Sequence, residues 1–199
     1  MVAAWVSDHR DQLFPTERPA VARAVEKRVR EFATGRHLAR LAFDFLGLPR
    51  AAIPSGQARE PLWPEGCTGS ITHSDELAIA AVAASGALRS IGIDLELVER
   101  VTPELYARLM TPRECGLLQD ADSRAPGLLF SAKEAGYKAV NPLVGKFIGF
   151  QEAEVDVDWP GRRFTLRYTG EYEPNQIMQQ GEGFFCFFER YVFTLFIIR

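Results

Sequence analysis

Two stretches of helical spacing, each followed by a run of strands, constrain the fold of this chain more than any other feature. Val21, Val25, Val29, Phe32, Leu38, Leu41 and Phe45 recur every three or four positions across residues 16–46, the repeat of one helical face. Gly35 falls inside that stretch and is expected to bend it or divide it into two helices. "ITHSDELAIAAVAA" then reads as a strand or strand pair around Ile79 to Val82, turning at "SGALRS" into a further strand, "SIGIDLELV". The second half repeats the order. "TPELYARLMTPRECGLLQD" and "RAPGLLFSAKEAGYKAV" are helical, and "KFIGFQEAEVDVDW", "RRFTLRYTG", "FFCFFER" and "YVFTLFIIR" are strands separated by turn residues. The fold class is α+β. Two α+β halves, residues 1–100 and 101–199 with a boundary near 97–104, is the simplest architecture; one continuous α+β domain would show the same order of elements.

Composition excludes several classes. The 199 residues can bury a sizeable core, and 47% hydrophobic content is that of an ordinary globular protein. A net charge of −3 and a pI of about 5.7 argue against a general nucleic-acid binder, which would carry a basic face. Charge is nonetheless uneven: Arg18, Arg23, Lys27, Arg28, Arg30, Arg36 and Arg40 crowd residues 18–40, so a local basic site can sit on an acidic protein. Cys67, Cys115 and Cys186 lie far apart with no CxxC pair, which suggests neither a zinc site nor a disulfide framework and reads as a reducing cytoplasm. The N-terminal residues lack the basic and apolar regions of a signal peptide. The most apolar stretch, "FFCFFERYVFTLFIIR", is broken by Glu189-Arg190 and is too short on either side to span a bilayer, so no transmembrane segment is expected.

In "SIGIDLELV", residues 90–98, Asp94 and Glu96 stand two positions apart. On a strand they share one side, while Ile93, Leu95 and Leu97 share the other. Two carboxylates side by side repel, and burial without a partner would cost several kcal/mol, so a Lys, an Arg or a bound metal is the natural companion. The alternative is a strand with one wet face.

"FSAKEAGYKAV", residues 130–140, sets Lys133 beside Glu134, with Lys138 one turn beyond Glu134. The apolar pattern runs through Ser131, so the helix starts nearer Arg124 and Ser131 caps nothing. Lys133, Glu134 and Lys138 are then either a salt-bridged surface or a functional cluster. "TPRE", residues 111–114, has Thr at a cap, Pro at the first helical position and Glu three beyond, and reads as a capping box rather than as chemistry. In "PLWPEGCTGSITH", residues 61–73, Gly66 and Gly69 let backbone amides approach a ligand, and Ser70, Thr72 and His73 can donate to phosphate oxygens. That loop matches neither a P-loop nor a dinucleotide fingerprint. Carboxylates holding Mg²⁺ while basic residues cradle phosphates is a recurring solution for phosphoryl transfer. In that arrangement Asp94 and Glu96 are metal ligands, with Glu134 a third ligand or a base.

Four blocks, "REFATGRHLARLAFDFLG", "WPEGCTGSITH", "GIDLE" and "FSAKEAGYKA", together spanning residues 30–139, make the chain resemble the phosphopantetheinyl transferases of the surfactin and enterobactin type. The resemblance implies transfer of the phosphopantetheine arm of coenzyme A to a serine of an apo acyl, peptidyl or aryl carrier protein, with release of adenosine bisphosphate. It implies a monomer of two similar α+β halves related by a pseudo-twofold, with coenzyme A in the cleft. Asp94, Glu96 and Glu134 would hold Mg²⁺, with Mn²⁺ able to stand in, and would bridge it to the pyrophosphate. Lys133 and His73 would neutralise the pyrophosphate, and Arg28, Arg36 and Lys138 match the basic residues around the coenzyme A phosphates, the two arginines at the ribose phosphate. Arg59 is the nearest candidate for a basic residue common before the P-x-W-P segment. Mg²⁺ and Lys133 would stabilise the leaving bisphosphate, and Glu134 would take the serine proton, directly or through a metal-bound water. Arg108, Arg113 and Met110 are candidates for the carrier surface, since carrier proteins present acidic helices. Two rivals remain: a metal-dependent nucleotide or pyrophosphate hydrolase, which would consume coenzyme A without a carrier, and a non-catalytic module that binds coenzyme A or carrier domains.

Overall fold

In the computed structural model, which describes residues 1–170 and 174–199, the helical spacing of the first half resolves into a single helix, α1 (Glu26–Phe45). It follows a 3₁₀ turn at Arg18–Val21 and is not divided at Gly35. The glycine has a packing reason instead: a Cβ there would lie 2.7 Å from Cγ2 of Ile71. That close approach offsets the roughly 1 kcal/mol by which glycine disfavours a helix interior. α1 buries Leu38, Ala39, Ala42 and Phe43 against Ala78, Ala80 and Val82.

The sheet beneath it has three antiparallel strands in the order β1-β3-β2: β1 (Val2–Trp5), β2 (Cys67–Ser74) and β3 (Leu77–Ala84). The strand pair around Ile79–Val82 is therefore β2 and β3, and the Ser-Ile-Thr-His run is part of β2, with Thr72 opposite Ile79 and His73 opposite Ala78. β1, four residues long, was not anticipated.

Residues Met1–Leu88 form one compact unit and Arg89–Arg199 a second. The second unit contains β4 (Ser90–Leu97), β5 (Ala153–Asp158), β6 (Arg163–Tyr168), β7 (Gly181–Phe188) and β8 (Tyr191–Ile198), antiparallel in the order β4-β8-β7-β6-β5. Its helices are α2 (Pro103–Leu109), α3 (Pro112–Leu117), α4 (Ala125–Val144) and α5 (Pro174–Gln179). The GIDLE strand goes with this unit rather than with the N-terminal half assigned to it from sequence, because all eight of its residues pair with β8. Adjacency in sequence is a weaker bond than a ladder of hydrogen bonds.

α4 lies on the β4–β8 side of the sheet along a stripe of small residues. A Cβ on Gly92 would fall 1.9 Å from the Ala135 carbonyl oxygen, so only glycine admits the helix there. Ser131, mid-helix as expected, shares a hydrogen bond with the Thr194 hydroxyl at 2.8 Å and accepts that hydroxyl at its own carbonyl at 2.9 Å. The helix begins after Arg124 and ends at Gly145, left-handed at φ +64°. Among the described residues no helix is long and apolar enough to cross a membrane.

Candidate functional site

The wet-face reading of "SIGIDLELV" does not hold. Gly92 and Asp94 both meet α4, so the even-numbered face of β4 is the helix-covered one, and Asp94 and Glu96 are 6% and 7% exposed. Ile91, Ile93 and Leu95 on the other face are buried as well. Lys138 supplies the expected cation: its Nζ donates to Asp94 Oδ1 at 2.7 Å and to the Ile93 carbonyl at 3.2 Å. Glu96 accepts its neighbour Leu97 N–H at 2.7 Å and lies 3.1 Å from the Arg100 guanidinium.

Glu134, one turn before Lys138, stands half-buried beside these groups. Burial raises its carboxyl above the ordinary carboxylate range, Lys138 opposes the rise, and Asp94 and Glu96 add to it. The three carboxylates thus feel one another. Among the described residues no three His, Cys, Asp or Glu side chains are already gathered as a metal cage. Their chemistry fits a hard divalent cation, since all are oxygen donors and Lys138 and Arg100 together meet only part of the negative charge of three carboxylates.

Lys133 belongs to a different environment. Its Nζ donates to Glu114 Oε2 at 2.6 Å, to the Phe150 carbonyl at 2.8 Å and to the Leu109 carbonyl at 2.9 Å, which uses all three ammonium protons. Both side chains of the pair are 1% exposed. The structure does not present Lys133 as an open cation. Burial lowers its ammonium below the usual lysine range, and Glu114 pulls it back. Glu114 does close the capping box foreseen in "TPRE", but the same carboxylate also accepts the Val155 N–H and holds Lys133.

Beside Glu134 is an apolar cavity of about 100 Å³ that the sequence reading missed, lined by Tyr137, Phe147, Ile148, Phe150, Leu166 and Met178 as well as by Lys133 and Glu134. Its wall is the segment "KFIG", which the period-two pattern assigned to a strand; β5 begins only at Ala153. The signal available was Gly145 and Gly149 bracketing it. Of the three candidates for a carrier surface, Arg108 is exposed, Arg113 is paired to Asp156 and Glu154, and Met110 is buried at 1% exposure. Met110 cannot contribute to a surface.

The first unit carries the basic set. Arg28 Nη1 lies 2.9 Å from His73 Nε2. A guanidinium can only donate, so Nε2 is the acceptor and the ring proton sits on Nδ1, which faces Glu31 Oε2 at 3.7 Å. Thr72 lies on the opposite side of β2 from His73 and is buried at 3% exposure. Arg28 and Arg59 line one open pocket of about 680 Å³ together with Arg23, Phe32 and Ser55. Arg23 is the member that the sequence reading counted but did not single out. Arg59 occupies a turn at φ +67°. Arg36 is 5% exposed, stacks on the Phe32 ring at 4.2 Å and donates to the Ile53 carbonyl at 2.7 Å and the Ser55 hydroxyl at 3.4 Å. Burial lowers its guanidinium to about 10, which leaves it charged at neutral pH. Arg36 braces the pocket wall more than it faces the opening.

Two family models match the chain in order: the 4'-phosphopantetheinyl transferase N-terminal domain over residues 16–83, and the 4'-phosphopantetheinyl transferase superfamily over residues 90–195. The chain belongs to the 4'-phosphopantetheinyl transferase superfamily. It is 43% identical over 143 residues to 4'-phosphopantetheinyl transferase Npt of Nocardia iowensis, covering 71% of this chain and 64% of that one. It is 42% identical to 4'-phosphopantetheinyl transferase Svp of Streptomyces mobaraensis, over 78% of this chain and 65% of that one. To 4'-phosphopantetheinyl transferase PptT of Mycobacterium tuberculosis it is 39% identical, over 78% of this chain and 70% of that one. The chain thus spans just under two thirds of the length of the first two of these relatives.

Proposed function

We propose that this protein transfers the 4'-phosphopantetheine arm of coenzyme A to a serine hydroxyl of an apo carrier protein, in a Mg²⁺-dependent reaction that releases adenosine 3',5'-bisphosphate. The observation that carries the reading is the convergence of Asp94, Glu96 and Glu134 with Lys138, next to a narrow apolar cavity, in a chain of this superfamily. Asp94, Glu96 and Glu134 would hold the metal. Bound there, Mg²⁺ would supply Lewis-acid stabilisation of charge on the pyrophosphate oxygens.

The remaining work falls to the chain's own groups. The serine Oγ–phosphorus bond forms as the bond from that phosphorus to the bisphosphate oxygen breaks, and the hydroxyl proton passes to a Glu134 carboxylate oxygen. Its place beside Asp94 and Glu96 would put that oxygen within reach of the incoming hydroxyl. Lys138, 28% exposed at its side chain, adds positive charge beside Asp94. Arg23, Arg28 and Arg59 suit the phosphate of the nucleotide half, with His73 held ready by Arg28. The apolar cavity suits part of the uncharged arm. The three cysteines are free thiols, which suits a reducing compartment such as the cytoplasm.

Intact-protein mass spectrometry of an apo carrier protein incubated with this enzyme, coenzyme A and Mg²⁺ tests the reading. Expected are a mass gain of one phosphopantetheine arm, its loss with EDTA, and a rate about 100-fold lower or worse for Glu134→Gln. Coenzyme A cleaved without a carrier would point to a hydrolase, and coenzyme A bound but unchanged with every carrier would point to a binding module.

A further inference from the structure

The buried Glu114–Lys133 pair lies outside the chemistry just described, yet it touches the cavity on which that reading depends. Lys133 lines the cavity with its stem and ends its ammonium on the Phe150 carbonyl, while residues Phe147 to Phe150 form the facing wall. The same ammonium reaches Leu109 at the end of α2, and Glu114 ties Thr111 at the start of α3 to Val155 in β5. Four separate segments are therefore pinned to one ion pair. The wall has further anchors beside the pair: Asn141 Nδ2 donates to the Lys146 carbonyl at 3.0 Å, Ile148 is buried in the core, and the Phe150 ring packs on Phe130 with centroids 5.4 Å apart. Glu152 accepts the Gly149 N–H at 2.8 Å, and the Phe147 ring, on a residue 79% exposed, leans on Tyr137 with centroids 5.7 Å apart. The Lys133 ammonium spends its three protons on Glu114 and two backbone carbonyls rather than on a ligand phosphate.

We infer that Glu114 and Lys133 are a positioning pair that holds the segment Gly145–Phe150 as the wall of the cavity beside Glu134, and so govern recognition of the uncharged arm rather than of the phosphates. The inference rests on the proposed function for the identity of the arm, but the mechanical part stands without it. A lysine that neutralised pyrophosphate would act on the charged end of coenzyme A. A lysine that builds the wall acts only on ligands that enter the cavity. Adenosine 3'-phosphate 5'-diphosphate keeps the whole pyrophosphate and lacks only the arm, so this compound and coenzyme A separate the two roles.

The test replaces both members at once, Glu114→Gln with Lys133→Met, because removing one alone strands a buried charge whereas a neutral pair of similar volume can be tolerated. Calorimetry should give a dissociation constant for adenosine 3'-phosphate 5'-diphosphate within about twofold of the unmodified protein, and one for coenzyme A at least about tenfold weaker. In turnover, KM for coenzyme A should rise about tenfold with kcat within about threefold. Equal weakening of both ligands, or a kcat loss of about 100-fold at unchanged KM, would overturn the inference. Hydrogen exchange reads the wall directly: amides of residues 145–150 should exchange faster in the double variant, and unchanged exchange would also overturn it. Should that variant fail to fold, Phe147→Ala, at an exposed position, must weaken coenzyme A without weakening adenosine 3'-phosphate 5'-diphosphate. If it leaves coenzyme A untouched, the wall has no such role. If the unmodified protein binds coenzyme A no better than adenosine 3'-phosphate 5'-diphosphate, the arm assignment in the proposed function falls, and the exchange experiment still decides the pair.

Discussion

Helices α1 and α4 are equal in length and do opposite things with their charges. Each is 20 residues long and each buries one cation against a glutamate from another segment, Arg40 with Glu17 and Lys133 with Glu114. In both cases the glutamate also collects backbone N–H groups: Phe14 and Ile53 for Glu17, Thr111 and Val155 for Glu114. The charges that remain differ. On α1 Arg28 borders an open pocket and stays wet at 46% side-chain exposure, while Arg36 is buried against Phe32. On α4 the remaining charges are a half-buried glutamate with raised proton affinity and a lysine already engaged with a carboxylate. Fully buried charges hold these units together, exposed ones are suited to binding a large anion, and half-buried ones are where proton chemistry is favoured. Residue type does not make that distinction; depth does.

The largest effect should come from breaking either buried pair. Glu17→Ala and Glu114→Ala are each expected to lose about 3–5 kcal/mol of stability, measured by urea unfolding, because each leaves a buried cation uncompensated. A neutral result for one would end the parallel between the helices. A smaller effect separates the arginines of the first unit. Arg28→Ala should weaken adenosine 3',5'-bisphosphate about tenfold by calorimetry with its melting temperature nearly unchanged, as a charge-assisted hydrogen bond is worth about 1.5–3 kcal/mol. Arg36→Ala should instead lower the melting temperature, since it removes the stack on Phe32 and the bonds to Ile53 and Ser55. Equal binding losses without destabilisation would put Arg36 in the pocket after all.

The smallest effect is a pH dependence on α1. The His37 and His9 rings stack with centroids 4.0 Å apart, and burial first, then His9, Arg40 and Arg50, hold His37 below its ordinary value. The unfolded chain therefore takes up the proton before the folded one as pH falls. Stability is whole above about 6.5, declines as pH drops through that value, and levels off below the folded one. His37→Gln should flatten part of the slope of unfolding free energy between about pH 7 and 5, and an unaltered slope would remove His37 from the account.

Much of the site was legible because it rests on short-range rules. Alternation along a strand put Asp94 and Glu96 on one face, and a spacing of four put Glu134 and Lys138 on another, where both meet. The capping box at Thr111 needed only four residues. The placement of Lys133 was within reach and was missed: at about 100° per residue, Lys133 and Lys138 are about 140° apart around α4 and cannot serve one anion from the same face. Gly35 misled because a glycine in a helical pattern signals a break when nothing packs on it, and Ile71, 36 residues on, does.

By itself the sequence determined the α+β class, the order of elements, the periods that say which residues share a face, and the four blocks that carry the family likeness. The tertiary structure alone decided which unit owns the GIDLE strand and which charges are buried. It also decided which acid each buried cation meets: Glu17 lies 23 residues from Arg40, and Glu114 lies 19 residues from Lys133. The physical reason is range. Periodicity and capping act over one or two turns and are written in neighbouring residues, whereas desolvation is set by whatever segment closes over a charge, and nothing local encodes which one that will be.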